Sequence, residues 1–208
     1  MGQSIARLVL ASASPRRAEL LRAAGYTFEI LAVDLDERVR EGEPASVYVE
    51  RLAREKAGAA MQRLAQRAQQ ACRGADRAAL QDVVVLGADT AVVIDGRILG
   101  KPRDDRDAAA MLQALSGRQH DVMTGVCLRS AAGEWGRVET TGVYMSVLTA
   151  DDIAWYVQSG EGRDKAGAYA VQGLASRFVT RIDGSYSNVV GLPIATVSTL
   201  LRELASTG

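Results

Sequence analysis

A chain of 208 residues, 48% hydrophobic and 24% charged, is long enough to bury a substantial core, and a single domain over 1–208 is expected. Lys+Arg and Asp+Glu both number 25, and the zero net charge argues against a general nucleic-acid scaffold, which carries a basic excess. No apolar run reaches bilayer length and no signal-peptide core opens the chain, so no membrane partner and a cytoplasmic location are expected.

Cys72 and Cys127 stand far apart and form no CxxC pair, and His120 is the only histidine. A His-rich metal centre is excluded, and no G-x-S-x-G elbow presents a nucleophile. An enzyme with this composition must work with carboxylates, lysines and arginines, with or without a metal ion.

In chain order, Leu8-Val9-Leu10 reads as a buried strand running into the turn Ala11-Ser12-Ala13-Ser14-Pro15-Arg16-Arg17. Ser14 is placed to cap a helix from Pro15 to about Ala24, ended by Gly25. Two accounts fit this turn: a capped helix with two solvated arginines, or an anion site in which Ser12, Ser14, Arg16 and Arg17 hold phosphate. Tyr26 to Val33 reads as a second strand that ends in Asp34, Asp36 and Glu37. Ser46 is expected to cap a long helix, continued by an Ala/Gln/Arg-rich extension over 62–79.

Asp82 to Gly87 fits a central strand, followed by Gly87-Ala88-Asp89-Thr90 as a turn and a further apolar run to Ile94. Asp95-Gly96 marks a hairpin, Ile98-Leu99 a return strand, and Gly100-Lys101-Pro102-Arg103 a basic loop. A helix over Asp105 to Leu115 follows, then strands over Val122 to Leu128 and Val138 to Leu148 joined near Gly133. Thr149-x-x-Asp152 is a capping box. The glycine- and charge-rich stretch 160–173, with Arg163, Lys165 and Gln172, reads as a binding loop leading into a short strand. A strand over Phe178 to Ile182, a turn-rich loop over 184–193 and a closing helix from Leu192 to Leu204 complete an interleaved α/β pattern.

Asp89 is the leading catalytic residue. Placed after a buried strand behind the small Gly87 and Ala88, it is suited to hold a divalent cation or to activate water. An Asp that merely caps its own turn is the plainer account. Glu37 is a second metal ligand or base, or else a surface charge. Lys56 reaches a phosphate, or belongs to the solvated face on which Arg51 and Glu55 form an i, i+4 pair. Lys101 is held toward a ligand by its Gly-Lys-Pro turn, and Lys165 adds positive charge in the glycine-rich loop. A few carboxylates with several cations on separate loops suit a triphosphate with Mg²⁺. No Walker A or G-x-G-x-x-G sequence is present.

The ordered set Leu10-Ala11-Ser12-Ala13-Ser14-Pro15-Arg16-Arg17, Arg51-Leu52-Ala53-Arg54-Glu55-Lys56-Ala57, Gly87-Ala88-Asp89-Thr90, Gly100-Lys101-Pro102, Asp164-Lys165-Ala166-Gly167-Ala168-Tyr169 through Gln172-Gly173, and Gly191-Leu192-Pro193 resembles the Maf family of nucleoside triphosphate pyrophosphatases. The resemblance implies a mixed sheet flanked by helices, two lobes around a cleft, and a homodimer. It implies hydrolysis of a nucleoside triphosphate between its α and β phosphates, with Mg²⁺ or Mn²⁺. Asp89 then matches the family's proton acceptor, and Ser12, Arg17, Glu37, Lys56 and Lys101 match polar site positions.

Arg16, Thr90 and Gln172 match the specificity positions of the branch acting on dTTP and UTP. A branch acting on 7-methyl-GTP carries Trp after the Ser-Pro and an acid in place of the Gln. A neutral amide suits the imide edge of uracil or thymine. Modified pyrimidine nucleotides and a pool-cleaning role follow from the same resemblance. The alternative is a nucleotide-binding regulator of septum formation without significant catalysis.

Overall fold

The computed structural model describes residues 7–71, 80 and 82–207. Its centre is a mixed sheet in the order β2-β1-β3-β5-β6-β7, with β4 paired to β3 off that path. The strands are β1 (Arg7–Leu10), β2 (Glu29–Ile30), β3 (Val83–Ile94), β4 (Arg97–Leu99), β5 (Gln119–Arg129), β6 (Glu134–Met145) and β7 (Val179–Asp183). The helices are α1 (Pro15–Ala23), α2 (Ala45–Ala71), α3 (Asp105–Leu115), α4 (Ala150–Ser159), α5 (Tyr186–Val190) and α6 (Ile194–Thr207). Only β1 pairs in parallel, with β2 and β3; every other ladder is antiparallel. Among the described residues no helix is long and apolar enough to cross a membrane.

The alternation of β3 sorts its side chains onto two faces. Val83 and Val85 pack with Ala53, Ala57 and Ala60 of α2, and Ala91 and Val93 pack with Val49 of the same helix. Val84, Leu86 and Ala88 pack instead with Ala18 and Leu21 of α1 and with Val197 and Leu200 of α6. Helix α2 lies unusually close to the sheet because two glycines face it. A Cβ at Gly87 would stand 2.2 Å from the Ala53 carbonyl oxygen, and one at Gly125 2.2 Å from that of Val49.

Several expected elements shift. Asp89 does not follow a strand: β3 runs unbroken through 83–94, and Asp89 pairs with Gly125 in the middle of it. The stretch expected to be a turn is held straight by β5, whose ladder with β3 spans Val85 to Val93. The second strand shrinks to Glu29–Ile30. Ser46 lies inside α2, whose first turn begins at Ala45 with the Tyr48 N–H donating to the Pro44 carbonyl. Ser14 holds the N-cap position of α1 but makes no side-chain capping bond.

No strand follows the glycine-rich loop. Short 3-10 turns at Ala166–Ala168 and Leu174–Arg177 take its place. Helix α5 occupies the loop expected over 184–193. The extension over 62–79 continues α2 as far as Ala71, and the rest of it, with Cys72, lies outside the described residues. The capping box holds, with Thr149 and Asp152 bonding to each other's backbone N–H.

Candidate active site

The site grows from a gap at the edge of β3. On that edge β1 pairs with Val83–Leu86 and β4 pairs with Val92–Ile94, so residues 87–91 have no strand beside them among the described residues. The β1–α1 turn fills part of the gap. The Ala11 N–H donates to the Leu86 carbonyl at 2.8 Å, and Arg17 Nη1 donates to the Ala88 carbonyl at 2.8 Å. Beyond them opens a cleft of about 580 Å³. Ser12, Ser14, Arg16, Arg17, Glu37, Lys56, Asp89, Thr90, Lys101, Lys165 and Gln172 all line it.

Because Asp89 and Thr90 are neighbours in a strand, they point to opposite faces of the sheet. On the α2 face, Lys56 Nζ lies 2.6 Å from Asp89 Oδ1 and 2.6 Å from Glu37 Oε1. The Lys56 and Asp89 side chains are buried, whereas Glu37 is half exposed. Partial burial raises the Glu37 carboxyl, but the Lys56 hydrogen bond and charge, helped by Lys101 and Arg17, outweigh it and hold its pKa below the ordinary value. The expected i, i+4 pair is present too, as Arg51 Nη1 to Glu55 at 3.3 Å, but with Arg51 largely buried rather than on a solvated face, and Lys56 takes no part in it.

The loop that carries Glu37 is fixed to α2. Tyr48 donates its hydroxyl to the Glu37 carbonyl at 3.0 Å. Arg51 donates to the Arg38 carbonyl at 3.2 Å and grips Glu43 at 2.6 and 2.8 Å. Tyr48 lines the cleft and was not singled out in the sequence.

On the opposite face, Arg17 is buried and largely committed to partners inside the protein. Its guanidinium donates to Gly191 O at 2.8 Å, Ser12 Oγ at 3.1 Å, Ala88 O at 2.8 Å and Thr90 Oγ1 at 3.1 Å. Four of its five N–H groups are thereby used inside the protein. Thr90 Oγ1 also lies 2.9 Å from Thr124 Oγ1 and 3.2 Å from the Gly191 carbonyl. Ser12 Oγ further accepts from the Ser14 N–H at 3.2 Å.

By contrast, among the described residues Arg16, Lys101 and Gln172 have no hydrogen-bond partner in the chain, and Lys165 pairs only with its neighbour Asp164. The cleft therefore combines an internally bonded frame with polar side chains along its lining that are unpaired among the described residues. Gly167, whose N–H donates to the Gly100 carbonyl at 3.0 Å, ties the Lys165 loop to the Lys101 loop.

Among the described residues no cluster of three or more His, Cys, Asp or Glu has metal-binding spacing. Glu37 and Asp89 form a pair of oxygen donors sharing one cationic neighbour. Magnesium takes one or two carboxylates from a protein and the rest of its shell from phosphate oxygens and water, so this pair fits a metal brought in with a polyphosphate.

Residues 7–204 match the sequence model of the family described as Maf-like protein. The chain belongs to the Maf family. It is 48% identical over 201 residues to a protein of Anaeromyxobacter sp. (strain Fw109-5), covering 94% of this chain and 88% of that one. It is 49% identical over 197 residues to a protein of Hahella chejuensis, covering 95% and 92%. A protein of Methylobacillus flagellatus is 48% identical over 202 residues, covering 97% and 94%. All three relatives carry the name dTTP/UTP pyrophosphatase.

Within this Maf protein Tyr169, a member of the glycine-rich motif, meets His120, the lone histidine, a pairing that neither residue announces in the sequence. Tyr169 lines the cleft, and its hydroxyl lies 2.7 Å from Nε2 of the buried His120. The two rings meet edge to face at 5.4 Å. Burial pushes the imidazole down to a pKa of about 4. The spacing from His120 to Tyr169, 49 positions, gives no local signal of this contact.

Proposed function

We propose that this protein, acting as a single domain, hydrolyses nucleoside triphosphates, dTTP and UTP among them, between the α and β phosphates to give the monophosphate and pyrophosphate. The observation that supports the reading best is the separation of chemistry across β3. The carboxylate pair with Lys56 stands on one face, and the unpaired Arg16, Lys101 and Gln172 line the same cleft around the open edge. A nucleotide crossing that edge sets its phosphates near the charged cluster and its base near Gln172. The activity named for the three relatives favours hydrolysis over a purely regulatory role in septation.

In this reading Asp89 accepts a proton from the attacking water. Lys101 and Arg16 offset the charge that grows on the departing pyrophosphate. Glu37 and Asp89 would hold Mg²⁺ or Mn²⁺, which when bound supplies charge neutralisation at the phosphates. Gln172 offers one donor and one acceptor to the imide edge of a pyrimidine. Arg17 and Thr90 act by holding the β3 edge and the Gly191 turn in register. Clearance of modified pyrimidine nucleotides, a homodimer and a cytoplasmic setting belong to the same proposal, and light scattering tests the dimer.

The decisive assay incubates the protein with Mg²⁺ and dTTP or UTP and identifies the products by chromatography. Monophosphate with pyrophosphate is expected; release of orthophosphate would overturn the assigned bond. Asp89→Asn should lower turnover by about 10²- to 10⁴-fold, the usual worth of a positioned proton acceptor.

A further inference from the structure

Lys56 bridges the two carboxylates that would hold a metal ion. Its Nζ is 2.6 Å from one oxygen of Asp89 and 2.6 Å from one oxygen of Glu37, so a single positive centre already joins the two carboxylates. The lysine is only 9% exposed along its side chain and rises from the buried, alanine-rich face of α2. That helix lies close against β3 at Gly87, where a Cβ would stand 2.2 Å from the Ala53 carbonyl oxygen. The lysine is not a spare surface cation that happens to reach a carboxylate.

We propose that Lys56 is an internal stand-in for the divalent cation, so that the metal site between Glu37 and Asp89 opens only when a nucleotide draws the lysine away. The proposal rests on the triphosphate reading above and adds an order of events to it. Two carboxylates and one ammonium carry a net single negative charge. A bare divalent cation must displace the ammonium, which leaves the lysine buried beside a dication with no anion to receive it. A polyphosphate changes that balance, because it offers Lys56 phosphate oxygens within the same cleft. Burying a charge without a partner is costly, so the lysine leaves the carboxylates when a replacement anion is present. Metal and nucleotide then strengthen each other's binding, and by linkage the effect is reciprocal.

The surrounding charges fit this exchange. Tyr48 and Arg51 fix the Glu37 loop to α2, so Glu37 need not travel when the lysine leaves. Lys101 adds to the field on Glu37 without bonding to it. The flexible four-carbon stem of lysine allows its ammonium to turn between acceptors, which the planar fork of Arg17, with four N–H groups already bonded, does not.

The test is a Mn²⁺ titration of metal-free protein, read as loss of the free-ion EPR signal, with and without a non-hydrolysable α,β-methylene analogue of dUTP. In wild type, the analogue should tighten Mn²⁺ binding by roughly 5- to 150-fold, the usual range of coupling between sites. In Lys56→Met, Mn²⁺ alone should bind about tenfold tighter than in wild type, and the further gain from the analogue, after subtraction of the Mn²⁺ that the analogue binds without protein, should be smaller than in wild type. Adding Asp89→Asn to that variant should abolish the gain, which places the ion.

Equal or weaker Mn²⁺ binding by Lys56→Met without nucleotide would overturn the proposal. Should the variant not fold, the wild-type lysine Nζ resonance decides: it should move with Mg²⁺ plus analogue and stay unmoved with Mg²⁺ alone. A resonance unmoved by both overturns the proposal. Failure of the triphosphate reading shows separately, as absence of hydrolysis products from dTTP and UTP with wild-type protein, whereas the nucleotide-free Mn²⁺ comparison does not depend on them.

Discussion

Arg17 and Gly191 lie 174 positions apart in the chain, and the Arg17 Nε donates to the Gly191 carbonyl at 2.8 Å. The same guanidinium reaches Ala88 and Thr90 on β3 and Ser12 in the β1–α1 turn. One buried fork thus joins three separate segments at the open edge of the sheet. Its donors are spent on the frame, so its loss is a loss of architecture first. Lysine offers a point charge rather than a planar fork. Arg17→Lys should cost roughly 1–3 kcal/mol, the penalty for leaving buried acceptors unpaired. Denaturant melts check the stability, and turnover of Mg²⁺–dTTP should fall with it, because the β3 edge carries both faces of the cleft.

Gly87 tests the opposite face. A methyl group there would stand 2.2 Å from the Ala53 carbonyl oxygen and 2.8 Å from the Ala57 nitrogen, both backbone atoms of α2. The helix must withdraw, and Lys56 withdraws with it from Asp89. Gly87→Ala should therefore destabilise the fold by about 1–3 kcal/mol, as overpacking does. It should also lower kcat beyond what the lost stability explains at a temperature where the variant is fully folded. Paired melting and turnover measurements separate the two effects.

That glycine also shows how the sequence and the structure relate. Gly87-Ala88-Asp89-Thr90 carries turn-forming residues, and reading it locally breaks β3 in two. The structure keeps one strand through 83–94, because each unusual residue answers a tertiary neighbour: Gly87 the backbone of α2, Asp89 the ammonium of Lys56. The capping box at Thr149 and the helix at Asp105–Leu115 were legible, since their signals lie within a few residues of chain. The convergence of Ser12, Lys56, Asp89 and Gln172 on one cleft was legible as an ordered set of short motifs, and Glu37, outside those motifs, only as a carboxylate beyond a strand end. The roles within that set were not. Nothing near Arg17 reveals that its donors are consumed by Ala88 and Gly191, and nothing near Tyr48 shows that it holds the Glu37 carbonyl.

Gln172 supplies a test with little structural cost. It is exposed, lines the cleft, and has no hydrogen-bond partner in the chain among the described residues. A carboxylate in its place lacks the amide donors that a pyrimidine carbonyl needs. Gln172→Glu should lower kcat/KM for dTTP and UTP by at least about tenfold, equivalent to ~1.4 kcal/mol. The melting temperature should stay where it is. Unchanged kcat/KM would remove Gln172 from base recognition.

His120 ties the fold to pH. It is 3% exposed, its Nε2 lies 2.7 Å from the Tyr169 hydroxyl, and its Nδ1 has no partner among the described residues. Burial lowers its pKa from 6.5 to about 4, so the folded protein keeps the imidazole neutral where the unfolded chain protonates it. Below pH 6.5 the unfolded state binds a proton that the folded state refuses, and stability falls with pH until the folded group titrates near 4. The loss across that window is roughly 3 kcal/mol, from 1.36 kcal/mol per unit of pKa difference. His120→Gln removes the titration, and the variant's stability should depend less steeply on pH between 6.5 and 4. Because the chain holds one histidine, its imidazole proton signals are unambiguous. An imidazole that titrates near 6.5 in the folded protein would refute the prediction.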